Sequence, residues 1–323
     1  MFEGIEIDGS YKEGGGQILR TSLALSALTN NPVKITSIRA GRSPPGLKPQ
    51  HLAGAKAVRS ICRGKLEGAE EGSTELRYLP GTIYGGKYRF DIGTAGSTIL
   101  LAQTILPLLF AAPKPTRVKI TGGTDVPKAP GYDYFGKVFL PALSMFGLDA
   151  KCSLEKAGYY PGGGGAIELE VEPGRPQPVS SWPRVSVPQA TISISGLPLG
   201  IAMREKKIML NKGIEDVRIR ERESPGKGNA VLLHKGFVGS YSLGRKGLRA
   251  EKVAGNAIAG LEAEGDAEVD HYLADQLLLY AALAGKTSFK TSHISNHTET
   301  NIHIIEKFLG KRFSVDKNVV KVE

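Results

Sequence analysis

Val33-Lys34-Ile35-Thr36 returns 85 residues later as Val118-Lys119-Ile120-Thr121, and this pair decides how the chain is read. Each copy alternates branched apolar with polar residues, the period-two signature of a strand with one buried face. Each follows an apolar stretch and a short proline-containing turn. The spacing of Leu19, Leu23 and Ala27 predicts a helix over 17–28, and a second over 97–111. Beyond each strand come a Gly/Pro-rich loop, 39–50 or 122–133, and a second helix, about 50–62 or 134–145. Both copies then carry Tyr-x-Pro-Gly, at 78–81 and 159–162, read as a shared closing turn.

A repeat of fixed period implies one structural unit used more than once. A third copy is visible near the carboxyl end: a helix over 272–284 stopped by Gly285, a strand over 288–292, a loop over 295–300 and a helix to 309. Phe289-Lys290-Thr291-Ser292 takes the place of Val-Lys-Ile-Thr. The period puts that element near residue 203 and it stands at 289, so about 86 residues are additional. Pro173-Gly174-Arg175-Pro176-Gln177-Pro178 and Trp182-Pro183 read as the linker into them. Strand-like 191–195 and 230–233, a helix before Gly213 and one near 251–264 suggest a small α/β module. The expected fold class is therefore α/β (α+β): three βαβα-type units forming a large domain over 1–183 and 267–323, with a basic α/β domain inserted over 184–266.

With 42 Lys and Arg against 32 Asp and Glu, the net charge is +10, a bias that suits polyanionic partners. Residues 201–250 hold 12 of the cations and 5 acids, a concentration that fits either a solvated surface or an RNA-facing patch. The longest apolar run, 99–112, contains Gln103, Thr104 and Pro107 and is too short to cross a bilayer. The first residues lack the basic-then-apolar order of a secretory leader. Two cysteines, Cys62 and Cys152, are too few for a disulfide scaffold or zinc cluster. A cytoplasmic protein with no membrane association is the expectation.

Residues with chemical potential fall in the loops. Glu13-Gly14-Gly15-Gly16-Gln17-Ile18-Leu19-Arg20 sets three glycines before a helix, where free N–H groups favour an anion; the same pattern fits a tight turn. It is neither a Walker A loop nor GxGxxG. Glu13 beside such a site would be a natural metal ligand and Arg20 a phosphate partner. Arg39-Ala40-Gly41-Arg42-Ser43-Pro44-Pro45-Gly46 offers two guanidiniums, suited to phosphate oxygens, on a stiff loop. Gly93-Thr94-Ala95-Gly96-Ser97 opens another helix, and Gln103 within it requires a partner if buried. Gly122-Gly123-Thr124-Asp125 leads a rigid loop with little chemistry of its own. Six histidines show no HExxH or Cys/His zinc spacing, and no GxSxG elbow exists. His297 lies in the third copy's strand-to-helix loop, equivalent to the loop of Arg39 and Arg42.

Taken with Pro49-Gln50-His51-Leu52, Gly158-Tyr159-Tyr160-Pro161, Tyr272-Leu273-Ala274-Asp275-Gln276 and Ser295-Asn296-His297 through Thr300-Asn301, these segments resemble RNA 3′-terminal phosphate cyclases, in order along nearly the whole chain. Asn296 stands where relatives often have Cys, and Gly131 where a second Pro is common. The resemblance implies three repeats with a smaller inserted domain. It implies ATP-dependent conversion of an RNA 3′-phosphate to a 2′,3′-cyclic phosphate through a histidyl-AMP on His297 and an RNA-adenylate. By the same resemblance Arg20, Arg39, Arg42 and Gln50 would surround ATP phosphates or the RNA end. Glu13, with Gln103, would contact a divalent cation (Mg or Mn), and Pro130, Tyr272, Asp275, Gln276 and Tyr241 would surround adenosine. The rivals are a non-cyclising branch acting in ribosome assembly, which lacks the nucleophilic histidine, and an enolpyruvyl-type transferase built from similar repeats. Retention of His297, Glu13 and Arg20 speaks against the first. Oligomeric state stays open.

Overall fold

The computed structural model describes residues 2–310 and 312–323. The first unit runs β1 (Ile5–Asp8), α1 (Gly16–Thr29), β2 (Val33–Thr36), α2 (Pro49–Cys62), β3 (Lys65–Glu67) and β4 (Leu76–Leu79). Its sheet has the order β1-β2-β4-β3, with β1 and β2 parallel and the other pairs antiparallel. In β2, Val33 and Ile35 are buried while Lys34 and Thr36 are half-buried, as period two requires.

The second unit repeats this plan: β5 (Lys87–Asp91), α3 (Thr98–Phe110), β6 (Thr116–Gly122), the helix α4, β7 (Ala150–Lys156) and β8 (Gly165–Val171), ordered β5-β6-β8-β7. Helix α4 is continuous from Tyr132–Tyr134 through a π-helical stretch, Phe135–Phe139, into Leu140–Met145. The repeating unit is therefore βαβαββ, two strands longer than the sequence reading gave. Short strands such as Lys65–Glu67 carry too few residues to display a period. The two Tyr-x-Pro-Gly segments are not equivalent: Tyr78 lies within β4 opposite Val33, whereas Tyr159 lies between β7 and β8 and bridges Asp125.

Chain order places β9 (Gln189–Ser195), α5 (Gly200–Leu210), β10 (Asp216–Glu221), β11 (Gly228–Lys235), β12 (Val238–Leu243) and α6 (Ala250–Ala263) next. They form a separate sheet, β10-β9-β11-β12, over a core of its own that includes Ile192, Ile194, Met209, Val231, Leu233, Val253 and Ala257. The third unit follows as α7 (His271–Ala284), β13 (Ser288–Lys290), α8 (Asn296–Leu309), β14 (Phe313–Asp316) and β15 (Val319–Val322), ordered β13-β15-β14. Its missing first strand is replaced by the segment at Val179. Ser288 donates its N–H to the Val179 carbonyl at 2.9 Å, and the Trp182 indole N–H donates to the Ser288 carbonyl at 3.0 Å. The added residues thus break the third unit between its first strand and first helix.

Ser97, Asp270 and Ser295 cap α3, α7 and α8 by accepting N–H groups at 2.8–3.1 Å. Helix α3 is buried almost throughout, because α1 and α2 pack on it along with β6 and β8. Trp182 meets Phe237 edge-on at 5.1 Å and Phe289 at 6.3 Å, joining the inserted sheet's hairpin to the third unit. Among the described residues no helix is long and apolar enough to cross a membrane.

Candidate active site

Glu13, Arg20, Arg39, Arg42, Gln50, Gln103, Pro130, Tyr241, Tyr272, Asp275, Gln276 and His297 all line one cavity of about 690 Å³. They reach it from all three units and from the inserted sheet, although up to 284 residues separate them in sequence. The strand-to-helix loops of the first and second units meet there with the start of α8.

The glycines before α1 make room for neighbouring side chains. A Cβ on Gly15 would stand 2.1 Å from the Glu13 carboxylate, and one on Gly16 would stand 2.5 Å from His51 Nε2. The Glu13 side chain is 7% exposed; one oxygen pairs with Arg42 and the other is buried without a partner. That orphaned oxygen suits a cation. Among the described residues no three His, Cys, Asp or Glu groups converge, so a Mg or Mn ion here would have Glu13 as its carboxylate and take most ligands from substrate phosphates, in the manner of Mg²⁺ sites.

His297 opens α8 with its Nε2 3.9 Å from Glu13 Oε1, while its Nδ1 is buried with no hydrogen-bond partner. Burial holds the imidazole below its ordinary pKa, aided by Arg20 and Arg42 and opposed by Glu13. The ring is consequently neutral near pH 7, with a lone pair available for attack. Arg20 rises one turn into α1 with no acidic partner in contact among the described residues. Burial lowers its pKa against the pull of Glu13 and Asp275, and a guanidinium stays charged regardless. Arg39 adopts φ +56° and is 8% exposed. Its guanidinium donates to the Pro44 and Gly46 carbonyls at 3.0 and 2.8 Å, which stiffens the loop that also presents Arg42.

Across the cavity, Gln103 donates to Gln276 Oε1 at 2.5 Å, and Gln276 donates to the Tyr272 carbonyl at 2.8 Å. Gln50 accepts the Ser97 N–H at 2.9 Å, tying α2 to the start of α3. Tyr272 is 58% exposed, an open aromatic face on the cavity wall. Burial pushes Asp275 up to about 7, with Arg20 pulling the other way. The Tyr241 hydroxyl is committed to Asp125 at 2.5 Å, so its ring is what remains toward the cavity.

The lining residues that the sequence reading did not name as site candidates include His51, Lys128 and Asn301. His51 accepts the Lys48 N–H on Nδ1 at 3.2 Å, and burial with Arg20, Arg39 and Lys48 nearby pulls its pKa to about 3. Asn301 accepts from the Thr21 hydroxyl at 2.8 Å and donates to the Asp275 carbonyl at 2.9 Å, linking the helices of Arg20, Asp275 and His297. A polar residue one turn after His297 on the buried stripe of α8 was the available signal.

A family model described as RNA 3′-terminal phosphate cyclase matches residues 11–315. The chain belongs to the RNA 3′-terminal phosphate cyclase family. The cyclase of Archaeoglobus fulgidus is 41% identical, the alignment covering 98% of this chain and all of that protein; the cyclase of Methanosarcina barkeri is 40% identical, covering 97% of each. Among solved structures, the enolpyruvyl transferase NikO of Streptomyces tendae is 15% identical with a TM-score of 0.31, over 65% of this chain and 38% of that one. A likeness that loose leaves the family assignment untouched.

Proposed function

We propose that this family member converts an RNA 3′-terminal phosphate to a 2′,3′-cyclic phosphate at the expense of ATP, with His297 as nucleophile. The observation that carries the reading is His297, its Nε2 3.9 Å from Glu13 Oε1, in one cavity with Arg20, Arg39 and Arg42. A lone ring nitrogen attacks the α-phosphorus of ATP; a nitrogen–phosphorus bond forms, the α–β bridge breaks and pyrophosphate leaves. The RNA 3′-phosphate oxygen then displaces the imidazole, taking AMP. Finally the neighbouring 2′-hydroxyl attacks the RNA phosphorus, loses its proton, and AMP departs with the bridging oxygen.

Each step gathers negative charge at phosphorus, which Arg20, Arg39 and Arg42, all lining the cavity, would offset. A divalent cation held at Glu13 would supply further neutralisation of the polyphosphate. Gln50 and Gln103 would orient phosphates and ribose, while Pro130, Tyr241 and Tyr272 would offer flat faces to adenine, with Asp275 and Gln276 as polar contacts; all line the cavity. The last step is intramolecular, so holding the terminal ribose still is most of what it demands. It also demands a 2′-hydroxyl, which selects RNA over DNA.

Incubation with ATP labelled at the α-phosphate tests this. The reading requires an acid-labile, base-stable label on the protein, discharged by RNA bearing a 3′-phosphate with formation of a cyclic end. A protein that stays unlabelled, or is labelled equally as His297→Ala, refutes it.

A further inference from the structure

Strand β12 lines the cavity with alternate residues, Gly239, Tyr241 and Leu243. Beyond Leu243 the chain turns away at Gly244, whose N–H donates to the Asn229 carbonyl at 2.9 Å, and presents Arg245, Lys246 and Arg249, all exposed. Strand β11 runs antiparallel beside it with Ala230 opposite Leu243, which brings exposed Lys227 to the same end of the hairpin. Four cations therefore gather where a cavity wall reaches the surface.

Several surface cations elsewhere are answered by acids. Lys34 pairs with Glu75, Arg117 with Glu168 and Glu170, Lys119 with Glu155, and Lys290 with Asp266. Among the described residues Lys227, Arg245, Lys246 and Arg249 have no carboxylate in contact. Lys128, on the cavity rim beside Tyr241, is exposed and unpaired in the same sense. Unanswered like charges repel one another across the fold and become favourable when a chain of anions lies over them.

We propose that this end of the β11–β12 hairpin holds the ribose–phosphate backbone of the RNA strand where it leaves the cavity, 5′ of the terminal phosphate. The inference rests on the function proposed above, and it draws on part of the basic stretch 201–250, within which Arg204 and Arg218 are already paired with Glu251 and Asp216. The contact is to phosphates and carries no preference for sequence. It matters for strands long enough to reach the hairpin and is immaterial to a short end.

The double variant Arg245→Ala with Lys246→Ala, made in the full chain, tests it. Fluorescence anisotropy would follow binding of a single-stranded 20-nucleotide RNA and of a trinucleotide, each with a 3′-phosphate, across a salt series. Removing two phosphate contacts should weaken the 20-mer roughly tenfold or more at low salt and lower the slope of log affinity against log salt by about 1.4. The trinucleotide should change less than about twofold, and Arg245→Lys with Lys246→Arg should restore the long RNA, since charge and not shape is at work. Unchanged affinity and slope for the 20-mer overturn the proposal, as does equal weakening of both RNAs. Labelling by ATP is read separately on the same protein. Failure of wild-type labelling with the RNA effects intact would refute the nucleophile and leave the surface standing.

Discussion

In the first unit, the segments before α1 and after β2 carry Glu13, Arg39 and Arg42 into the cavity; in the second, the matching segments hold Ser97, Thr124, Asp125 and Pro130, of which Pro130 lines it. Strand order and helix placement are the same in both. What differs is who answers the charges. Around the first unit Glu13 keeps one oxygen free among the described residues and Arg20 lines the cavity. In the second, Asp125 is closed by Thr124 and Tyr241, and Asp133 by Ser193 and Arg222 at 2.7 Å each. One copy leaves its polar groups unsatisfied for a substrate, and the other spends them on docking the inserted sheet. A repeated topology supplies equivalent positions; the residues placed there decide between chemistry and assembly.

Four experiments press on this contrast. The largest effect belongs to His297→Ala, which should abolish labelling by ATP while moving the melting temperature by no more than a surface substitution does, because the side chain is 40% exposed. A large fall in thermal stability would place the residue in the packing and not in the chemistry. Asp133→Ala should do the reverse. It strands the Arg222 guanidinium, 16% exposed, and should cost about 3–5 kcal/mol in urea unfolding, with labelling of the folded fraction retained. Arg20→Ala should slow labelling about a hundredfold or more with stability nearly unchanged; equal losses of both would erase the distinction between the units.

The smallest effect is a shift in acidity. His297 lies below its ordinary value of 6.5, so the acid limb of labelling should fall below pH 6.5, and protonation on further acidification should switch attack off. Glu13 is the charge that raises this pKa, so Glu13→Gln should move the His297 titration to lower pH, checked by NMR of the ring. A shift upward would mean that Glu13 does not face the imidazole in solution.

Much of this was legible in the chain. Val33 and Ile35, repeated as Val118 and Ile120, marked the buried faces of two strands, and Gly285 marked the end of α7. The β10 and β12 strands were missed: Val217-Arg218-Ile219-Arg220 alternates apolar with polar, but over only four residues on an edge strand, and Gly239 interrupts β12. The twelve candidate site residues could be named from motifs together with the family resemblance, and the structure places all of them on one cavity. Their private ties could not. Arg39 Nη1 donates to two carbonyls of its own loop, and the partners of Gln103 and Asn301 lie 173 and 280 residues away. Such pairings follow from tertiary geometry, which no local pattern encodes.

The inserted sheet is joined to the body at both sides of a single three-residue strand: Val179 meets Ser288, and Val269 donates its N–H to the Lys290 carbonyl at 3.2 Å. Excising everything between would leave ends near enough to splice. The shortened protein would nonetheless inherit three buried aspartates whose counterparts had gone: Asp125 without Tyr241, Asp133 without Ser193 and Arg222, and Asp270 without the Gly239 N–H. The guest is easy to cut out by topology, yet the host has become dependent on it through solvation.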